Sequence, residues 1–577
     1  MGWILGLAGN YSETELQKLK SIHPSPFHSF SSDKMYLATG GIPETCLSSI
    51  SENNFSCWIA CGVGIKYENG QTFLMNKSDW NSELTNQNFS QYNLNGHFAA
   101  AIWNKNKLEL FTDQLGIRNI YLTKLNDSIA FSTRLDWVSK LNKNISIDWE
   151  KFGARWFLLN PISNESFLKN VEIMNQGGKA VISLNPLSYQ IKNQPWHPDL
   201  VPSLSEDKDF ISILRDFTLC GLNNDKKISL ALSGGLDSRI LLALLISSKS
   251  ENWSLHSFYF REHPDTKIAA RISKELNVDH FFWEPSIPPI DKSVSLLTEY
   301  VGETMLATPA SKYLNLRFYL PLYNQNKIVI DGGYGELARR RYLRLYLKGK
   351  EALYNNDSEK VIYLLKYNRA DIFSDEYARL MYSGMKKLMD EIFCSMPLVK
   401  DYGIENWVDL FEARTRLVYS SVEQSRSDSK LVNYMPFTQP SFLKKVFKTP
   451  VSERNNNKIF YKIIKDFSPV LSKIPLVKGG TTYPFGLGSI PSSILIKLKN
   501  KLGFYYKDNL IIRFLETLSE YIQDTVNSGD VTSCEYYDYK KVKDLVEGFY
   551  RKKNLALALE VDWWLTFETW RRIIERT

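Results

Sequence analysis

The chain has 577 residues, enough for two or more domains with full cores. Apolar residues make up 44% and charged residues 23%, a balance that excludes a disordered or fibrous protein. The net charge of +8, from 71 Lys and Arg against 63 Asp and Glu, is too mild to demand an acidic partner.

No apolar run is long enough to span a bilayer. The opening Met1–Gly9 segment lacks the basic flank and the longer apolar core of a secretion signal. Gly6 stands where an N-myristoylation motif needs Ser or Thr, so a cytoplasmic protein is expected. Six scattered cysteines make no disulfide framework; Cys57 and Cys61 are the one close pair and, without a second pair, read as buried thiols.

Up to about residue 195 the pattern is β-rich. Runs at Trp58–Ile65, His97–Trp103, Leu108–Phe111 and Ile129–Phe131 are separated by Asn, Gly and Asp turns, with Asn104–Lys107 a hairpin turn. Three prolines between Pro195 and Pro202 resist helix and central strand, which places a linker at 196–205 between domains 1–195 and 206–577. Beyond it strands alternate with helices: Ile228–Leu232, Trp253–Phe260 and Lys327–Ile330 as strands, Arg239–Ile246 and Lys267–Leu276 as helices. Such alternation predicts a parallel sheet covered by helices. From about 345 onward the pattern is mostly helical, ending in a Trp-rich stretch at Leu555–Leu565.

The strand-to-helix junction Ser233-Gly234-Gly235-Leu236-Asp237-Ser238 reads as an anion site. Two glycines allow a tight turn, and the helix after it offers unpaired N–H groups and the positive end of its dipole to phosphates. Asp237 supplies one carboxylate suited to magnesium. The spacing is not that of the common ATPase phosphate loop. A second glycine turn, Asp331-Gly332-Gly333-Tyr334-Gly335-Glu336, follows the Lys327–Ile330 strand, and Glu336 is a second oxygen ligand for magnesium. Lys478-Gly479-Gly480 places a lysine on a turn able to meet developing negative charge. A helix around 411–426 carries Glu412 and Glu423 among Arg414, Arg416 and Arg426, and the basic run Arg339–Arg344 reads as a solvated helix face or a phosphate contact.

Together these segments resemble the asparagine synthetase and β-lactam synthetase family. Asp265 fits the pattern after the loop and Met435-Pro436-Phe437 resembles the family's Pro-Phe segment. Asn95-Gly-His-Phe98 and Phe111–Tyr121 resemble segments of the family's glutamine-hydrolysing domain. The resemblance implies an α+β, Ntn-hydrolase-like β-sandwich followed by an α/β ATP-pyrophosphatase domain with a largely helical end. It implies ATP and Mg2+ as cofactors, with Ser233–Ser238, Gly332 and Gly333 holding the nucleotide.

Two departures shape the expected chemistry. Leu5 stands at the family's nucleophilic cysteine, and a side chain without a lone pair forms no thioester, so glutamine hydrolysis is not expected. Tyr334 stands where asparagine synthetases have an acidic residue and β-lactam synthetases have tyrosine; the resemblance pairs it with Glu423, or with Glu412, to take a proton from an attacking amine. The turn is one residue shorter than the family's and keeps Glu336 alone of an Asp-Glu pair.

The expected activity is ATP-dependent amide ligation through an acyl-adenylate, with Lys478, Tyr334 and Glu423 catalytic and the amine either on a second molecule or on the substrate itself, where it would close a lactam or macrolactam. Alternatives are an ammonia-using synthetase and a nucleotide-binding scaffold. The expected partners are a carboxylate-bearing small molecule or peptide, an amine, and a second copy of the chain or a biosynthetic protein. Neither nucleic acid nor membrane is expected.

Overall fold

The computed structural model describes residues 2–50, 56–68, 70–159, 161–201, 208–223, 226–316, 319–339, 343–428 and 430–575, without the side chains at 223, 315–316, 319–320, 343–344 and 418–426. Antiparallel sheets, two in number, face each other in the N-terminal region. One is centred on Trp3–Gly9, paired with Met35–Gly40 and Ser128–Ser132; the other on Asn95–Asn104, paired with Ser56–Glu68 and Lys107–Thr112. Strand alternation explains the layering. Ile4 and Ala8 point between the sheets, toward Leu37, Ile59, Ala99 and Leu110. Trp3, Leu5 and Leu7 point outward, where they pack on Leu16 and Leu19 of the Glu13–Ile22 helix and Trp137 of the Leu135–Leu141 helix. On the far side, Trp58 and Phe98 are covered by Trp80 and Leu84 of the Lys77–Leu84 helix. The result is a helix–sheet–sheet–helix stack, a layered β-sandwich as expected from the sequence. The predicted Asn104–Lys107 turn closes the central hairpin, with Lys105 at φ 31°.

The C-terminal region is built on a five-stranded parallel sheet in the order His280–Trp283, Trp253–Phe258, Lys227–Ala231, Lys327–Ile330, Val432–Tyr434. The two outer strands, of four and three residues, are too short to leave a period in the sequence. Lys227–Ala231 is the first of the five along the chain, with its successors added on one side and then on the other. That makes it the switch point, where α/β sheets open a crevice beyond the strand ends. The helix after it, Leu236–Ser247, is buried along its whole apolar run from Ile240 to Leu245, between the sheet and the Lys458–Phe467 helix.

The remainder is helical, apart from the short Val432–Tyr434 strand and a hairpin of Leu476–Lys478 and Thr481–Tyr483. The terminal helix Leu555–Glu575 buries Trp564 and Trp570 together with Phe152 and Trp156 from the first 195 residues. The Trp149–Phe157 and Asp375–Ser395 helices cross at backbone contact: a Cβ on Gly153 would lie 1.9 Å from the Met381 carbonyl oxygen, and one on Gly384 2.4 Å from that of Glu150.

The Asn95-Gly-His segment is the seam between the two regions. Asn95 Oδ1 accepts from Ser441 N at 2.9 Å, and Gly96 N donates to Gln439 Oε1 at 2.8 Å. His97 Nε2 lies 3.0 and 3.1 Å from the two carboxylate oxygens of Asp428, which also pairs with the buried Arg118 and accepts from Asn433 at 2.7 Å. Burial, with Arg118 beside it, pushes His97 down to about 3 and keeps the ring neutral.

Candidate active site

Strand ends and helix starts assemble the site. The Ser233–Ser238 loop leaves the central strand and is stitched internally: Ser233 N donates to Ser238 Oγ at 3.2 Å and Gly235 N to Ser233 Oγ at 3.1 Å. Gly234 N donates to Asp265 Oδ1 at 2.7 Å, giving Asp265 a structural role in shaping the loop. Gly235 is the N-cap of the Leu236–Ser247 helix, with no side-chain cap bond. The first-turn N–H groups there present the donors and dipole suited to an anion.

The second turn interlocks with the loop. A Cβ on Gly332 would sit 2.6 Å from Ser238 N, and one on Gly335 2.6 Å from Asp237 Oδ1, so both positions require glycine for the two turns to touch. Gly333 N donates to Asp331 Oδ1 at 2.6 Å, closing the turn. Tyr334 takes the left-handed region at φ 65°, which costs a non-glycine residue ~1 kcal/mol. The Arg416 guanidinium lies 5.5 Å from its ring centroid and also pairs with Glu336 at 3.1 Å.

Lys478 ends the first strand of the hairpin, whose turn is made by Gly479 and Gly480 at φ 57° and 71°. The hairpin leans on the loop: Val477 N donates to Gly234 O at 2.9 Å, and a Cβ on Gly234 would reach within 2.3 Å of Val477 Cγ2. Lys478 Nζ lies 3.3 Å from Ser493 Oγ. Loop, second turn and lysine hairpin are thereby packed together beyond the end of the central strand. Glu412 and Arg416 approach the second turn from the Ile404–Ser427 helix, one helical turn apart. Burial, then the charges of Asp409 and Glu336, pushes Glu412 up to about 8 and holds it largely protonated at neutral pH. Glu423 lies on the same helix, but its side chain is outside the described residues.

Two arginines complete the arrangement, and neither was singled out for this role from the sequence. Arg239 is buried, and donates to Gly234 O at 3.3 Å, Ile474 O at 2.6 Å and Pro475 O at 2.8 Å, tying the loop to the segment that leads into Lys478. Its signal was legible: a lone cation inside an apolar helix needs buried acceptors. Arg339, expected on a solvated face or at a phosphate, instead grips both oxygens of Asp237, Nε to Oδ1 at 2.6 Å and NH2 to Oδ2 at 2.7 Å, and donates to Asn457 at 3.1 Å. The neighbouring Arg340, Arg341 and Tyr342 of the basic run lie outside the described residues.

This pairing bears on magnesium. Asp237 is forked by Arg339 and Glu336 is paired with Arg416. Among the described residues no three His, Cys, Asp or Glu side chains gather as a metal site. The two carboxylates in this arrangement do not form a ready magnesium site.

Residues 213–305, which span the central strand, the loop and the Trp253–Phe258 and His280–Trp283 strands, match the family model for asparagine synthase. Over these residues the chain is similar to asparagine synthases. It is 26% identical over 160 residues to asparagine synthetase [glutamine-hydrolyzing] 1 of Bacillus subtilis, covering 26% of this chain and 24% of that protein. It is 26% identical over 211 residues to asparagine synthetase [glutamine-hydrolyzing] 2 of the same organism, covering 32% and 27%. The matched segments thus span about a quarter of the length of these relatives. Among solved structures, a glutamine phosphoribosylpyrophosphate amidotransferase from B. subtilis aligns over 59% of this chain and 77% of its own at 9% identity and a TM-score of 0.20, too low to bear on fold or activity. In the N-terminal region Leu5 is buried against Trp3, Leu7 and Tyr36, so a hydrocarbon fills the position that the sequence resemblance gives to a nucleophile.

Proposed function

We propose that the protein is an ATP-dependent carbon–nitrogen ligase that works through an acyl-adenylate. A substrate carboxylate oxygen attacks the α-phosphorus of ATP, and pyrophosphate leaves with the electron pair of the broken P–O bond. An amine then attacks the acyl carbon, AMP leaves, and the proton lost from nitrogen passes to a base. The observation that carries this reading is the convergence of the Ser233–Ser238 loop, the Gly332–Glu336 turn and the Lys478 hairpin at the switch point of the sheet.

Within that reading the loop and Gly332–Gly333 hold the phosphates, and Lys478 offsets charge on the oxyanion and on the departing group. Tyr334, with Glu423, receives the proton. Glu412 suits base work less well, being held protonated at neutral pH. Because Leu5 replaces the glutaminase nucleophile, the amine does not come from glutamine; with tyrosine at 334 we assign an amine of the substrate itself, closing a lactam or macrolactam. Free ammonia is the alternative amine.

The fork between Arg339 and Asp237 favours a second reading, a nucleotide-binding scaffold without turnover. Pyrophosphate release from ATP, followed across panels of carboxylates with and without added amine, separates the readings. Release with one carboxylate, completed by amide formation, supports ligation, and in that assay Lys478→Ala should lower product formation by roughly 100-fold or more. ATP binding without release for any carboxylate would leave the scaffold reading in its place.

A further inference from the structure

Behind the Lys478 hairpin runs the helix Ser489–Lys501, and its outer face is apolar. Ile490 is 66% exposed, Ile494 55%, Leu498 54% and Leu502, at the helix end, 70%. A spacing of four residues places them in one stripe along the helix. Phe504, 70% exposed, extends the stripe into the following turn. Single exposed aliphatics are ordinary, but six of the twenty exposed large apolar or aromatic side chains among the described residues fall within 490–505.

The opposite face of this helix is fully engaged. Ser492 and Ile496 are buried, Lys499 Nζ donates to Thr482 O at 2.8 Å, and Thr481 Oγ1 donates to Asn500 Oδ1 at 2.8 Å. The stripe is therefore held outward by a helix locked to the hairpin. Lys497 and Lys501 are exposed beside the stripe, and Lys507 follows it, against one acidic residue, Asp508, over residues 488–508.

We propose that this face is a docking surface for an anionic lipid bilayer, on which the helix lies in the interface plane. An apolar stripe edged by lysines matches that environment, with the aliphatic side chains inserted and the ammonium groups reaching the headgroups. A second copy of the chain fits less well, because two-fold packing of the stripe on itself would bring the lysines of both copies together with only Asp508 to offset them. No membrane span is involved: among the described residues no helix is long and apolar enough to cross a bilayer. The expectation of no membrane contact rested on that same absence, which leaves a surface-lying helix untouched.

Vesicle flotation with the full chain tests the surface, without reference to ligation. Vesicles of phosphatidylcholine alone are compared with vesicles containing roughly one-third phosphatidylglycerol, at low and at high salt. The expected result is flotation with the anionic vesicles, weakened by salt. The double variant Ile494→Glu/Leu498→Glu should lower binding at least about tenfold. Lys497→Gln/Lys501→Gln, which keeps the stripe intact, should remove most of the preference for anionic lipid. Absence of flotation, flotation unchanged in both variants, equal binding to neutral vesicles, or a dimer in sedimentation that Leu498→Glu dissolves would each overturn the proposal.

Discussion

Asp237 and Arg339 stand 102 residues apart in the chain and meet through two charge-assisted bonds, with little of either side chain exposed. Removing one partner leaves the other charge poorly compensated in a half-dry site. Arg339→Gln and Asp237→Asn should each destabilise the protein, and the double variant should lose less than their sum, with a coupling of about 1–3 kcal/mol in urea denaturation. Glu412 is the second residue whose environment has a measurable consequence. Its folded value, pushed up to about 8, lies above the ordinary 4.5. Below the unfolded value both states hold the proton and its contribution to stability is intact. As pH rises toward 8 the unfolded chain has already released the proton, and stability falls. Glu412→Gln should remove that slope, raising the melting midpoint by a few degrees at pH 8.5 while leaving it nearly unchanged at pH 4.5. Neither environment is written in local sequence, since both depend on which charges the fold brings near.

At the level of elements, two glycine turns and a hairpin are packed backbone to backbone. Gly332→Ala would drive a carbon to within 2.6 Å of Ser238 N, where no side chain can swing away. The turns must part, and ATP binding by calorimetry should weaken roughly tenfold or more, while overpacking costs ~1–3 kcal/mol. Gly529→Ala, whose added carbon meets no atom within 4 Å, serves as the control with binding unchanged. The strands and helices flanking these turns were legible because their signals are local: Ile228–Leu232 is a short apolar run, and Lys267–Leu276 repeats at helical spacing. Lys478 was read on a turn and sits instead at the end of a strand, since a two-strand ribbon of three residues each has no period to detect. Arg239 was read as the first residue of an apolar helix, while three of its four carbonyl acceptors, on Leu471, Ile474 and Pro475, lie far along the chain.

Across the whole molecule, Asp428 gathers His97, Arg118 and Asn433 where the N-terminal sandwich meets the parallel-sheet domain. All the groups around its carboxylate are buried, and Thr45 Oγ1 adds a bond to its backbone oxygen at 2.7 Å. Asp428→Asn would leave the Arg118 charge in a dry interface and should cost roughly 3 kcal/mol, read as a thermal midpoint several degrees lower and faster proteolysis at the seam. The broader interface, where Phe152 and Trp156 join the core of the terminal helix, shows why a boundary placed near 195 marks a change of pattern more than a gap in packing. Glycine placement and the alternation of strand and helix were enough to infer a glycine-rich loop between a strand and a helix on a parallel sheet, and the resemblance at Leu5 marked a hydrocarbon there, because each is a property of a short stretch of chain. The fork on Asp237, the protonated state of Glu412, the cradle of Arg239 and the outward stripe beside Lys478 required the folded chain. They arise from charges and surfaces that lie far apart in sequence and acquire their energies only when packing removes water between them or leaves it in place.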